Sequence, residues 1–416
     1  MNNVFFKNIF LLLIMQGVNY IIPLVTLPYL TRVLGGYQYG VLSTALTLVQ
    51  YAILLIDFGF NLSATKEIAK NNNIRRINVI FWRTIYSKVL LSFCCFIFAW
   101  IIYFTFPKYN IVMPLLIFML PQVIGSVFFP LWLFQGVERL SVVSIITSIS
   151  RISILPLLIF FVKDESDIVN AAFILSLPIF ISIFGCIPEI KKIGILKPYR
   201  IKVKEIKRTI IKSSHYFFGS VAISVYTLST PIILSMVSNF EQVAYYATAD
   251  KLRNAVIGVF LILGQAIYPR ANVLFSKDKI RYYFFIRNLL FSQLFFCAIA
   301  MCLFYFYAPV LSVLLLGDEF LASSDVIKVM SPMILLIPSA VIFANCIMLP
   351  HGEVKAYATI PFITAIIHTP FSIVFCSLYG AYGGGISIFL TEVISFLFLF
   401  VFCYYKGYLR RSKYEK

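Results

Sequence analysis

Residues 9–30 read IFLLLIMQGVNYIIPLVTLPYL, a run of 22 residues without one charged side chain. A helix crosses the hydrocarbon of a bilayer with about 20 apolar residues, so this stretch is long enough to span. It is too long for the apolar region of a secretory signal, and no small-residue cleavage site follows it, so the segment is expected to stay in the mature chain. It is not uniformly apolar. Gln16, Asn19, Pro23 and Thr26 recur at three- and four-residue spacing, which puts them on one stripe of a helix.

Outward from residue 9 the same pattern repeats down the chain. Apolar runs at 9–32, 40–61, 86–106, 111–133, 141–162, 169–190, 214–237, 243–268, 284–307, 326–349, 357–378 and 384–405 predict about twelve transmembrane helices. Composition agrees. The chain has 416 residues, 61% hydrophobic and 12% charged, whereas a soluble protein carries about 25% charged residues to cover its surface. Lipid must therefore be its main solvent, and the fold class is all-α and polytopic. The eight cysteines fall in or at the ends of apolar runs and read as small fillers.

The net charge of +18 does not point to nucleic acid, because the basic residues sit in short blocks between the apolar runs. Those blocks set the orientation. With the N-terminus inside, 28 of the 35 Lys and Arg fall on the cytoplasmic side, including the block from Lys66 to Lys88 and nine residues between Lys191 and Lys212. The opposite side holds Arg32, Lys108, Lys163 and Lys328, with acidic patches at 164–167 and 318–319. Both termini are thus expected in the cytoplasm.

The most basic segment divides the spans six and six. We expect an N-terminal lobe at 1–190, a basic cytoplasmic linker at 191–212, a C-terminal lobe at 213–405 and a basic tail at 406–416. A weak internal repeat agrees. Gln38-Tyr39-Gly40 follows the first span and Gln242-Val243-Ala244 follows the seventh, and those two spans carry Pro23 and Pro231. Two repeats of equal orientation predict a pseudo-twofold axis along the membrane normal and a site between the halves. The linker is expected to fix topology and rest on anionic lipid, with capture of a phosphorylated substrate as the sharper reading.

Polar side chains inside hydrocarbon are costly and usually face protein or a water-filled cavity. Stripes at Ser43-Thr47-Gln50-Asp57, Ser141-Ser144-Ser148-Arg151 and Ser220-Ser224-Thr227-Pro231 join that of the first span and predict a polar cavity. Arg151 lies roughly 15 Å into its span at 1.5 Å per residue. Lys251 and Arg253 lie inside the eighth span and Glu392 near the middle of the twelfth. The cations are candidates to hold an anionic substrate. Asp57 and Glu392 are candidates for ion coupling. The plain alternative is internal pairing, with Asp250 three residues from Arg253 and able to neutralise it, and with Asp57 a structural cap.

Chemistry has few footholds. No phosphate-binding GxxxxGK[ST] loop, GxSxG elbow or HExxH helix is present, and His215, His351 and His368 have no metal-ligand spacing. We expect no catalytic residue, no metal and no cofactor, and no nucleic acid among the partners. The segments expected outside are short, which disfavours a polymerase or ligase acting there.

Several stretches then resemble a known group. They are Leu27-Pro28-Tyr29-Leu30-Thr31-Arg32-Val33-Leu34-Gly35, Asp57-Phe58-Gly59-Phe60 with Ala64-Thr65-Lys66-Glu67-Ile68-Ala69, Pro130-Leu131-Trp132-Leu133-Phe134-Gln135-Gly136, and Tyr246-Ala247-Thr248-Ala249-Asp250-Lys251-Leu252. Together they resemble the polysaccharide-biosynthesis branch of the multidrug/oligosaccharidyl-lipid/polysaccharide (MOP) exporters, and within it the Wzx-type O-antigen flippases. The resemblance covers nearly the whole chain. It implies a MATE-like architecture of two six-helix lobes that open alternately to each side. It implies an undecaprenyl-diphosphate-linked oligosaccharide as substrate, carried from the cytoplasmic to the periplasmic leaflet of a bacterial inner membrane. A polysaccharide polymerase and a chain-length regulator are implied partners beside the lipids. Asn19, Arg32, Arg151, Lys251 and Arg253 are the positions that would hold substrate. A small-molecule exporter of the same architecture is the main alternative, and a polymerase is a weaker one.

Overall fold

The computed structural model describes residues 2–71, 73–195 and 198–410, apart from the side chains at 2–16, 19, 98, 102, 218–220, 222, 223, 265 and 266. Among the described residues there is no strand. The helices are α1 (Asn2–Asp57), α2 (Phe60–Ala69), α3 (Ile74–Thr105), α4 (Met113–Gly136), α5 (Leu140–Phe161), α6 (Ile168–Ile193), α7 (Val203–Val237), α8 (Phe240–Lys277), α9 (Lys279–Phe306), α10 (Ser323–Met330), α11 (Met333–Met348) and α12 (Val354–Tyr405). Breaks interrupt α4 at Met119 and before Pro130, and α5 at Ser153.

Two helices are too long for one crossing. At 1.5 Å per residue, the 56 residues of α1 and the 52 of α12 exceed a hydrocarbon core of about 30 Å more than twofold. Each is broken at a glycine, Gly35 (φ 68°, ψ 176°) and Gly380 (φ 57°, ψ −133°), so each carries two of the expected spans. Eight described helices are long and apolar enough to cross, and the pair α10–α11, bent by 41° around Ser331-Pro332, makes a ninth. The apolar part of α7, Ser224–Val237, supplies another segment. This is the multi-pass, all-α protein of about twelve spans that the apolar runs predict.

The chain parts into two compact units, one of residues 1–22 and 33–224, the other of residues 23–32 and 225–416. The stretch read from sequence as a linker is largely helical. Glu205 accepts from the Lys202 amide at 3.3 Å in the first turn of α7, and Lys204 to Lys212 are already helix.

Inside the first unit, two of the motifs that carried the resemblance form one joint. Gly136 sits so close to α2 that a Cβ there would lie 2.6 Å from Ile68 Cγ2. The Thr65 hydroxyl lies 3.1 Å from the Trp132 carbonyl and 3.2 Å from Gln135 Oε1. Trp132 is fully buried and meets Phe81 at 5.5 Å between ring centroids. Glu67, next to this joint, accepts from Arg83 at 2.9 Å and from Lys212 at 3.2 Å. The Phe58 ring stacks on Phe217 at 4.2 Å, where Gly59 (φ 73°) lets the chain turn.

In the second unit the glycines of α12 admit neighbouring side chains. Gly384 faces Tyr246, whose Cδ2 would be 2.9 Å from an added Cβ. At the break, Gln242 Oε1 accepts from the Ala381 amide at 2.7 Å and caps the helix that restarts there. A Cβ on Gly380 would lie 2.4 Å from that same oxygen, on a backbone with φ 57° and ψ −133°. Gly380→Ala is therefore expected to cost about 1–3 kcal/mol from backbone strain alone, and more from the clash. Thermal unfolding of purified Gly380→Ala, Gln242→Ala and the double variant checks this. The double variant should cost less than the sum of the two, because deleting the Gln242 side chain removes the clash. Strict additivity would show that the contact is not the cause.

Outside the spans, the Glu353 carboxylate accepts from Tyr408 at 2.7 Å and pairs with Lys406 at 3.0 Å. These two partners hold its carboxyl below the usual carboxylate range.

Candidate functional site

Each unit contains buried charge, and each case begins with residue types that hydrocarbon would reject. In the first unit, Lys88 is 1% exposed in α3 and donates to Asp57 Oδ1 at 2.6 Å and to the Ser126 carbonyl at 3.0 Å. Asn61, one turn beyond Asp57, donates to its other oxygen at 3.3 Å. Lys88 was assigned above to the basic cytoplasmic flank. Its side chain is buried and pairs with Asp57 rather than lying free at the surface. Burial of a lysine is tolerable only with such a partner and further hydrogen bonds. Asp57 thus has a cationic partner that its sequence position did not reveal.

In the second unit, α7, α8 and α12 bring a larger polar cluster together. On α8, Asp250, Arg253 and Asn254 form a closed triangle at helical spacing. Arg253 pairs with Asp250 at 2.6 Å and with Asn254 Oδ1 at 3.0 Å, and Asn254 donates to Asp250 at 2.9 Å. The other guanidinium nitrogen lies 3.1 Å from Met333 Sδ. Arg253 also acts electrostatically on Glu392 of α12, to which the Tyr226 hydroxyl of α7 is hydrogen-bonded. Arg253 and Glu392 are both buried, at 6% and 7% exposure. Arg253 Nε is buried with no hydrogen-bond acceptor among the described residues.

The charge count of this cluster is informative. Two carboxylates, Asp250 and Glu392, share one guanidinium. Asp250 is partly exposed, whereas Glu392 is buried, and an ionised carboxylate in such a place is very costly without a counter-charge.

Beside it runs a chain of hydrogen bonds centred on His368. Its Nδ1 lies 2.8 Å from Thr391 Oγ1, and the Thr391 hydroxyl donates to the Ser387 carbonyl at 2.7 Å. Thr391 has spent its only proton, so His368 Nδ1–H must be the donor. Nε2 lies 3.2 Å from the Thr230 hydroxyl, which is hydrogen-bonded in turn to Tyr246. In the neutral ring Nε2 accepts from Thr230. The three histidines lack metal-ligand spacing, so spacing gives no sign of this role for His368. Its place in an otherwise apolar run was the signal available.

The remaining candidates are scattered. Arg32 donates to the Leu314 carbonyl, in a π-helical turn at Ser312–Leu316. Arg151 is half-buried in the last turn before the break in α5, with no ion-pair partner among the described residues. Lys251 is half-buried on α8. The Asn19 side chain lies outside the described ones. Among the described residues, no three His, Cys, Asp or Glu side chains converge to hold a metal ion.

A sequence model of the family described as "Polysaccharide biosynthesis protein" matches residues 5–275, well over half of the chain. The chain belongs to this family. Two curated relatives extend the likeness to nearly full length, both bearing the name "Putative O-antigen transporter". The one from Escherichia coli (strain K12) is 28% identical across 95% of this chain and 96% of its own. The one from Shigella dysenteriae is 30% identical across 94% of this chain and 98% of its own. Among solved structures, the chain shares its fold with the lipid II flippase MurJ in an inward closed conformation. The TM-score is 0.76 at 13% identity, covering 96% of this chain and 90% of that one. An inward-facing MATE transporter of the MOP superfamily gives a TM-score of 0.70 at 13% identity, covering 95% of each chain. The resemblance read from the motifs is thereby shown, and the fold is that of the MOP exporters.

Proposed function

We propose that this membrane protein is a flippase. Its substrate is an undecaprenyl-diphosphate-linked oligosaccharide of O-antigen or capsule, moved from the cytoplasmic to the periplasmic leaflet of a bacterial inner membrane by alternating access. The observation that carries this reading is the near-full-length likeness to proteins named as O-antigen transporters, on a fold also used by a lipid II flippase. The basic blocks support termini on the cytoplasmic side. A polysaccharide polymerase and a chain-length regulator are the partners such a product requires.

The physics of the step is simple. A sugar head cannot cross hydrocarbon unaided, since each unpaired polar group there costs several kcal/mol. Polar stripes replace its water, while the isoprenoid tail stays in lipid. The diphosphate is anionic, and its movement toward the positive exterior is favoured by about 2.3 kcal/mol per charge per 100 mV. Arg151 and Lys251 are the proposed contacts for the diphosphate, with Asn19 on the sugar side and Arg32 at the exit. Arg253 is held by Asp250 and acts on Glu392 rather than on substrate. Glu392, buried and sharing Arg253 with Asp250, is the proposed coupling group, and Asp57 is a second site gated by Lys88.

The deciding experiment locates lipid-linked repeat units in cells lacking the protein. The flippase reading expects units trapped on the cytoplasmic leaflet and loss of surface polysaccharide. Single units reaching the periplasm would point to a polymerase, and unchanged glycan with new drug sensitivity to a small-molecule exporter. Within the flippase reading, Lys251→Ala should impair flipping more than Lys251→Arg. Complementation of a null strain at matched membrane abundance reads this, and equal rescue by Ala and wild type would remove Lys251 from the site.

A further inference from the structure

The second unit carries a groove whose lining includes none of the residues of the polar cluster described above. Its cavity is about 290 Å³, bounded by α9, α11 and the end of α12. Along α9 it follows Tyr283, Arg287, Leu290 and Leu294, one helical face. From Tyr282 to Leu294 that face is roughly 18 Å long at 1.5 Å per residue. Half of a hydrocarbon core of about 30 Å is nearly the same length. The groove therefore matches one leaflet.

Its two ends differ in chemistry. Toward Leu294 the walls are apolar, with Phe343 and Phe396 edge to face at 5.7 Å. Toward the chain's C-terminus the mouth holds Arg287, Tyr283 and Tyr408. The Arg287 guanidinium lies over the Phe284 ring at 4.9 Å, and among the described residues no carboxylate pairs with it. It is exposed at the start of an apolar helix, a costly place for a lone cation unless it meets headgroups. Nearby cations rest on aromatic rings in the same way, Arg270 over Phe285 at 5.5 Å and Arg410 over Tyr404 at 5.1 Å. The wall itself is irregular. Phe343 and Ile347 sit in a π-helical stretch, Ile342–Met348, and Tyr282 reaches across to donate to the Cys346 carbonyl at 2.7 Å. Such π segments frequently mark functional sites.

We propose that this groove binds an anionic glycerophospholipid of the leaflet on the C-terminal side. One acyl chain lies along Leu290, Leu294 and Phe343, and the phosphate meets Arg287. The volume is at the small end of ligand sites. It accommodates part of a single acyl chain. Charge complementarity selects the head, since basic pockets between membrane helices bind acidic phospholipid heads. The bound lipid braces α9 against α11 and α12.

The test uses the purified full-length protein in neutral detergent. Thermal unfolding is followed with phosphatidylglycerol or phosphatidylcholine at equal mole fraction, and retained lipid is counted by native mass spectrometry. Phosphatidylglycerol should raise the Tm by about 5 °C more than phosphatidylcholine, as a ligand of the folded state does, with one molecule retained. Arg287→Gln should abolish the preference between the two lipids. Leu290→Trp, which fills the groove, should abolish retention. Equal stabilisation by both lipids, or a preference that survives both substitutions, would overturn the proposal. Displacement of phosphatidylglycerol one for one by undecaprenyl phosphate would also overturn it, and would make the groove a substrate site.

Discussion

Replacing Lys88 with methionine is expected to destabilise the first unit by about 3 kcal/mol, the low end for breaking a buried ion pair. The reason is the state in which Asp57 is left. Lys88 Nζ lies 2.6 Å from Asp57 Oδ1 and is 1% exposed, whereas the Asp57 side chain is 28% exposed. Removing the ammonium strands a carboxylate with a single side-chain donor, Asn61 at 3.3 Å, and frees the Ser126 carbonyl that Lys88 also served. Partial access to solvent keeps the cost from rising higher. Methionine fills most of the volume, so a cavity is not the cause. The double variant Lys88→Met/Asp57→Leu should recover much of the loss, because an apolar pair of similar volume has no desolvation to repay. Urea or thermal unfolding in detergent measures both. If the double variant is as unstable as the single one, packing rather than charge explains the effect. Flipping measured on the stable double variant then asks whether the pair is also part of ion coupling.

The second large effect is expected on activity and not on stability. Glu392→Gln should lower flipping more than tenfold at unchanged abundance. Glutamine keeps a hydrogen-bonding partner for Tyr226 and nearly the same shape, but it cannot gain or lose a charge. In the native cluster Arg253 serves two carboxylates, and it is tied to Asp250 at 2.6 Å. The neutral amide leaves that pair balanced, so the variant should fold well. What it removes is the uptake and release of one positive charge, the event proposed to drive the cycle. Arg253→Ala should behave differently. It strips the buried Glu392 of its cation and leaves Asp250 with Asn254 alone, so abundance should fall before activity can be compared. Transport assayed in vesicles with an imposed pH or sodium gradient separates the cases. A Glu392→Gln protein that still responds fully to both gradients would place coupling elsewhere.

Some of this was open to reading from the residues in order. Apolar runs of about 20 residues with few charges have one physical meaning, because backbone polar groups in lipid must be satisfied within the segment. Pairing between neighbours on one helix was also legible. Asp250 and Arg253 are three apart, and the structure closes that bond. The breaks at Gly35 and Gly380 were anticipated only as gaps between spans. At Gly380 the break is met by a contact from another helix, the Gln242 side chain capping Ala381.

The residues alone therefore determined the solvent, the helices, the number of spans and the families of motif, since all of these follow from local hydropathy and from spacing along one helix. Tertiary structure alone decided the partners across helices. Asp57 met Lys88 from 31 residues away, Thr65 met Gln135, His368 met Thr230, and Arg253 came to share Glu392 of α12. Spacing of three or four residues reports one face of one helix, and it carries no record of which face another helix turns toward it. A buried charge must find its counter-charge wherever packing brings one, so only the packed helices reveal which charges remain unbalanced.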